Sequence, residues 1–188
     1  MILKNHHIII TLASLLFLGC SQRPAGVDAR VLDAAGQGDA VAQMKVGLAF
    51  DQEQAFEEAV LWYRKAAEQG LSEAQNNLGV MYKDGQGVVQ DYAEAARWFQ
   101  MAAEQGNTLS QSNLGWLYHA GKGVPRDTTL ALYWYQQAAA KGHVTAQNNL
   151  GILLLQSGDT AAAIPWLQQA AAQGHDGSQR ILDAIKRN

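Results

Sequence analysis

Apolar residues recur through most of this chain at helical spacing. Ala74, Leu78, Met81 and Tyr82 fall three, four or one apart, and so do Ala95, Trp98, Phe99, Ala102 and Ala103. Such spacing marks helices that bury one side. Between the two runs, residues 85–90 (Gly-Gln-Gly-Val-Val-Gln) read as a turn whose glycines are free to take positive φ. Asp91 then stands at an N-cap position with Glu94 three residues on, the spacing of a capping box. Residues 121–127 (Gly-Lys-Gly-Val-Pro-Arg-Asp) repeat the arrangement. The pattern predicts an all-α chain of helix pairs.

The pairs recur in register. Trp62, Trp98, Trp134 and Trp166 are separated by 36, 36 and 32 residues, and Gly47, Gly79, Gly115 and Gly151 by 32, 36 and 36. A third series, Gly38, Gly70, Gly106, Gly142 and Gly174, steps by 32, 36, 36 and 32. A fixed period in this range signals stacked repeats. Gly70, Gly106 and Gly142 are placed to end second helices. Gly79, Gly115 and Gly151 fall inside first helices, where each costs roughly 1 kcal/mol relative to Ala. Their recurrence predicts a close helix approach that excludes a side chain. The expected organisation is a tether and capping helix over 20–37, repeats over 38–70, 71–106, 107–142 and 143–174, and a C-terminal capping helix over 175–188. Caps at both ends cover the terminal apolar faces of a solenoid. Pro165, inside the last second helix, predicts either a kink or a late start there.

The pattern Ala-x-x-Asn-Leu-Gly-x-x-Tyr, then Gly-x-Gly-Val-x-x-Asp, then Ala-x-x-Trp-Phe-x-x-Ala-Ala-x-x-Gly resembles the Sel-one-like repeat. Residues 74–106 match it almost throughout. Residues 110–142 match with Ser110 for the first Ala and Tyr135 for the Phe. The outer units lack the Gly-x-Gly turn and resemble plainer tetratricopeptide hairpins. The resemblance implies a right-handed solenoid of antiparallel helix pairs, its first helices lining a concave face, that works by binding partners, often in bacterial envelopes.

The first twenty residues read as an address. Lys4 precedes a largely apolar run from Ile8 to Leu18, too short to span a bilayer but of signal-peptide length. Phe17-Leu18-Gly19-Cys20 resembles a bacterial lipobox, which implies a signal peptide over 1–19 and lipidation of Cys20, the chain's one cysteine. Ser21 in place of Asp implies outer-membrane anchoring, with the body in the periplasm or at the surface.

From Cys20 on, 13 basic face 17 acidic side chains, a net of −4 with no basic cluster, which argues against nucleic acid. His143 and His175 read as solvated turn residues rather than metal ligands. The Gly-x-Gly turns lack the preceding strand and following Lys-Ser/Thr of a phosphate loop. The four tryptophans of the ladder are expected in the core. No cofactor and no small-molecule substrate are expected, and no nucleophile–base pair is evident.

In the first helices, the side opposite Ala74, Leu78, Met81 and Tyr82 is expected at positions 73, 76, 80 and 83 and their counterparts. This line holds Val41, Met44, Leu48 and Asp51; then Glu73, Asn76, Val80 and Lys83; then Leu109, Ser112, Trp116 and His119; then Thr145, Asn148, Ile152 and Leu155. Large apolar groups there suggest a protein-binding stripe, centred on Trp116, the one tryptophan outside the ladder. The candidate binding residues are Trp116, Leu109, His119, Val80, Lys83, Ile152, Leu155, Leu48 and Met44. Packing of Val80, Trp116 and Ile152 between neighbouring first helices is the alternative. Asn77, Asn113 and Asn149 are expected as hydrogen-bonded scaffold. Together these features predict a membrane-anchored, non-enzymatic lipoprotein whose concave face engages another protein. One version is a scaffold or regulator of an envelope complex. Another is an immunity protein against a periplasm-acting toxin such as a type VI secretion lipase. A cell-wall or β-lactam hydrolase is the remote alternative.

Overall fold

The computed structural model describes residues 23–187; Cys20 and the expected signal segment lie outside them. All regular structure among these residues is helical. A short α1 (Ala29–Gly36) precedes four pairs: α2 (Ala40–Gln52) with α3 (Phe56–Glu68), α4 (Ser72–Asp84) with α5 (Tyr92–Glu104), α6 (Thr108–Ala120) with α7 (Thr128–Ala140), and α8 (Val144–Gln156) with α9 (Thr160–Ala172). The last helix, α10 (Asp176–Arg187), stands where a further first helix begins. Packing is concentrated between helices adjacent in the chain, the arrangement of a solenoid.

Local chemistry sets the boundaries. Asp28, Asp39, Asp91, Asn107, Asp127 and Asp159 each accept a hydrogen bond from a backbone N–H of the helix that follows. His143 and His175 join this set, contrary to their expected role as free turn residues. The Nδ1 of His143 accepts from the Ala146 N–H at 3.2 Å, and that of His175 from the Ser178 N–H at 3.1 Å. Gly85 and Gly121 close α4 and α6 in the left-handed conformation, φ 71° and 66°.

The recurring helical glycine does what its position predicts. A Cβ on Gly79 would lie 2.7 Å from the Phe99 ring, and one on Gly115 2.8 Å from the Tyr135 ring. Gly47 meets Tyr63 and Gly151 meets Leu167 in the same way. Each first helix thus seats a buried side chain of its own second helix directly on its backbone. On α10 the equivalent place holds Asp183, which is exposed.

The Gly-x-Gly turns join one unit to the next. A Cβ on Gly87 would lie 2.3 Å from the Phe56 backbone at the start of α3, and one on Gly123 2.2 Å from the Tyr92 backbone at the start of α5. Their positive φ, 66° and 70°, adds a conformational reason for glycine. The fourth unit has no such turn, and the start of α7 (Thr128, Thr129, Leu130) is exposed.

The tryptophan ladder is core only in its middle. Trp98 and Trp134 are buried, whereas Trp62 and Trp166 are half-buried. The Lys65 ammonium sits 4.1 Å from the Trp62 ring centre. Pro165 is the sixth residue of α9, which starts in register with its counterparts, so the expected late start does not occur.

Candidate protein-binding face

Polar residues buried between units determine which side of the first helices remains open. Gln43, Gln75, Gln111 and Gln147 are all buried. Each donates from Nε2 to a carbonyl near the end of the preceding second helix: Ala35, Ala67, Ala103 and Ala139, at 3.1–3.2 Å. Gln69, Gln105 and Gln173 in turn donate to Gln43, Gln75 and Gln147 at 2.7–2.8 Å. In the third unit Lys141 replaces that second glutamine and donates instead to the Gly106 carbonyl at 2.7 Å. The Oε1 of Gln111 is left buried without a partner.

A second set of bonds corrects the expected stripe. Asn76, Ser112 and Asn148 do not face away from the core; they are buried against the neighbouring unit. Asn76 accepts from the Ser110 hydroxyl at 2.9 Å, and Asn148 from the Ser178 hydroxyl at 3.0 Å. First helices pack on their own second helix, on the preceding second helix and on the next first helix, so they bury a wide arc. The most open line runs through Val41, Lys45, Leu48 and Gln52 of α2, and through Glu73, Asn77, Val80 and Asp84 of α4. In α6 it holds Leu109, Asn113, Trp116 and Ala120, and in α8 Thr145, Asn149, Ile152 and Gln156.

Of the candidate residues, Leu48 and Leu109 are exposed, at 39% and 53%. Met44, Val80, Lys83, Trp116, His119, Ile152 and Leu155 are half-buried. Met44, Val80 and Leu155 rest on separate parts of the core, those that hold Val46, Phe99 and Leu167 respectively. Trp116 touches two parts of the core, the one that holds Phe99 and the one that holds Tyr135. Trp116, His119 and Ile152 come together in one cleft with Tyr135, Asn149 and Leu153. An adjoining cleft brings Lys83 to Trp116, with Asn113, Thr145 and Asn149. Met44 lies apart, in a groove with Val41 and Leu71. The candidate residues therefore form no single continuous stripe; the convergence is around Trp116.

Several contributors there were not singled out by sequence reasoning. The Tyr92 ring centre lies 6.2 Å from that of Trp116, and the Lys122 ammonium lies 5.3 Å from the Trp116 ring centre. Asn149, expected as scaffold, accepts from Asn148 at 3.1 Å and also lines both clefts. Asn113 makes no side-chain hydrogen bond among the described residues, because Ser112 replaces the donor that Asn76 and Asn148 supply to Asn77 and Asn149. The signal was present in the asparagine series, but only the three-sided packing gives it meaning.

Burial shifts three titratable groups, of which Tyr135 lines the cleft beside Trp116. Burial pushes the Tyr135 hydroxyl up to about 12, so it stays protonated. Burial, and then the Asp51 carboxylate that accepts a hydrogen bond from its hydroxyl at 3.1 Å, also raise Tyr63. Burial lowers His143, in keeping with a neutral ring that accepts at Nδ1. The Nδ1 of His119 is buried with no hydrogen-bond partner. Among the described residues no cluster of three or more His, Cys, Asp or Glu is arranged to hold a metal ion.

The Sel1 repeat model matches residues 40–71, 72–107, 108–143 and 144–175. No curated protein matches the chain. Among solved structures it is similar to c5321, a protective antigen of uropathogenic Escherichia coli with an SLR fold, at 34% identity and a TM-score of 0.80. That match covers 83% of this chain and 35% of the antigen. A Sel1 repeat protein of Oxalobacter formigenes is 31% identical with a TM-score of 0.73, over 81% of this chain and 66% of that one. The chain thus spans about a third of the first relative and just under two thirds of the second. Cysteine-rich protein B of Helicobacter pylori, 21% identical over 68% of this chain and 97% of its own, shares the fold with a TM-score of 0.52. With four matched repeats over most of its length, the chain belongs to the Sel1 repeat family.

Proposed function

We propose that this protein is a non-enzymatic binding module that engages another protein through the first-helix face around Trp116, held at the outer membrane by lipid on Cys20 and facing the periplasm. The repeat fold is consistent with a protein-interaction scaffold. One observation carries the reading. Trp116 is half-exposed between two clefts, on a pair of helices, α6 and α8, that contain no Asp, Glu, Lys or Arg. Interface cores are depleted in charge and enriched in aromatic anchors. On this reading the partner is an envelope protein and the chain is a scaffold or regulator of its complex.

The test is a crosslinked pull-down of tagged full-length protein from its own cells, read by mass spectrometry, with Trp116→Ala alongside. Resident envelope proteins that the variant loses support the scaffold role. One secreted toxin or lipase in their place assigns immunity instead. Capture that is unchanged by Trp116→Ala removes this face from the account. Incorporation of an alkyne-labelled fatty acid, abolished by Cys20→Ser, tests the anchor separately. No helix among the described residues is long and apolar enough to cross a membrane.

A further inference from the structure

Charge is distributed unevenly along the solenoid. Residues 39–106 contain eleven acidic and five basic side chains, a net of −6. Residues 107–175 contain two acidic and three basic ones, a net of +1. Both acids of that second stretch, Asp127 and Asp159, are occupied as N-caps of second helices. The first-helix face of the third and fourth units therefore has no carboxylate of its own.

Two ammonium groups border it. Lys122 lies over the rings of Tyr92 and Trp116, at 4.8 and 5.3 Å, and makes no ion pair among the described residues. Lys83 lines the cleft beside Trp116, and its ammonium pairs with its own chain neighbour Asp84 at 3.3 Å. Beside Trp116, its indole, the side chains of Ile152 and Leu153 and the ring of Tyr135 line a slot, with His119 and Asn149 as its polar members. An apolar pocket next to Lys122, a cation with no carboxylate partner among the described residues, is complementary to an apolar group next to an anion.

We infer that the slot between α6 and α8 receives one aromatic or aliphatic side chain from an acidic segment of the partner protein, whose neighbouring carboxylates meet Lys122 and Lys83. The inference rests on the protein-binding reading and adds the chemistry of the partner. The apolar side chain supplies contact area against Trp116 and Ile152. The carboxylates supply orientation and faster encounter, and they exclude basic segments from the same slot. The acidic first two units repel the same segment and so confine it to the last two.

The test uses a phage-displayed library of random twelve-residue peptides, panned on the folded chain, followed by fluorescence polarisation with the enriched peptides. Enriched peptides are expected to hold an aromatic or aliphatic residue within two positions of Asp or Glu. Lys122→Glu should weaken their binding at least tenfold, and replacing the peptide's carboxylate by Lys should restore binding to that variant alone. Trp116→Ala should abolish binding; Lys122 is exposed, so its charge swap stands even where Trp116→Ala perturbs the fold. Enrichment of basic peptides, no enrichment, or peptides indifferent to Lys122→Glu would overturn the inference. A pull-down partner retained by chain carrying both Lys83→Glu and Lys122→Glu would leave protein binding standing and remove this slot as its site.

Discussion

Residues 39–106 and 107–175 fold into the same two helix pairs, yet one stretch is strongly acidic and the other nearly devoid of acids. Both halves keep the helical glycine under a buried side chain, the paired alanines and the buried glutamine that reaches back to the preceding unit. Those positions recur in both halves, while the charged surface around them differs. The difference between the halves is therefore information about contacts outside the fold. It also shows in the interior: the third unit has Lys141 where the first, second and fourth have glutamine, and its Gln111 is incompletely bonded.

The comparison breaks most sharply at the tryptophans. Trp98 is buried and Trp116 half-buried, on second and first helices respectively. Trp98→Ala is expected to destabilise by about 3–5 kcal/mol, and Trp116→Ala by less than half as much, in urea unfolding followed by circular dichroism. Equal losses would make Trp116 an ordinary core residue.

The next effect separates two glycines of similar conformation. Gly123 and Gly142 have φ of 70° and 85°, but a Cβ on the first would strike the Tyr92 backbone while one on the second meets open space. Gly142→Ala should cost about 1–2 kcal/mol from backbone strain alone, and Gly123→Ala about 1–3 kcal/mol more from overlap. Urea midpoints of the two variants decide this.

A smaller change should work in the stabilising direction. Lys141→Gln supplies the donor that Gln111 lacks and is expected to add about 1 kcal/mol. Gln105→Lys, which copies the third unit's defect into the second, should remove a similar amount. A Lys141→Gln variant no more stable than the parent would mean that the Gly106 contact of Lys141 is worth as much as the missing bond.

The smallest effect is one of pH. His143 caps α8 with a neutral ring and its pKa is lowered by burial, so the unfolded chain binds the proton more readily. Its contribution is fully present above the unfolded pKa of about 6.5 and is lost as pH falls through the lower folded value. His143→Asn, a cap that does not titrate, should flatten part of the decline in urea midpoint between pH 7.5 and 5.5. An unchanged slope would assign the decline to other groups.

Much of this architecture was legible in the sequence because it is written in spacing. The helix pairs, the Gly79 and Gly115 close approaches and the Asp91 cap all follow from residues a fixed number of places apart. The candidate face was legible only in part. Asn76 was placed on the open side, yet it is buried, because a first helix in a solenoid has neighbours on three sides. Placing one apolar stripe opposite one polar stripe therefore turned the open line toward Asn76 and Lys83 and away from Asn77 and Asp84. His143 and His175 read as solvated for a related reason: a histidine cap lacks the sequence signature of Asp or Asn, although its Nδ1 does the same work.

The brace between Gly123 and the start of α5 has a consequence for how such a chain can be rearranged. Each long turn shelters the helix start of the unit before it, so a unit's quality depends on which unit comes next. Deleting the third unit would place the short fourth directly after the second and uncover Tyr92, as Thr128 is uncovered now. The repeats are thus ordered like words in a clause rather than beads on a string, and lengthening the solenoid by duplication is easiest between two units that both have the long turn.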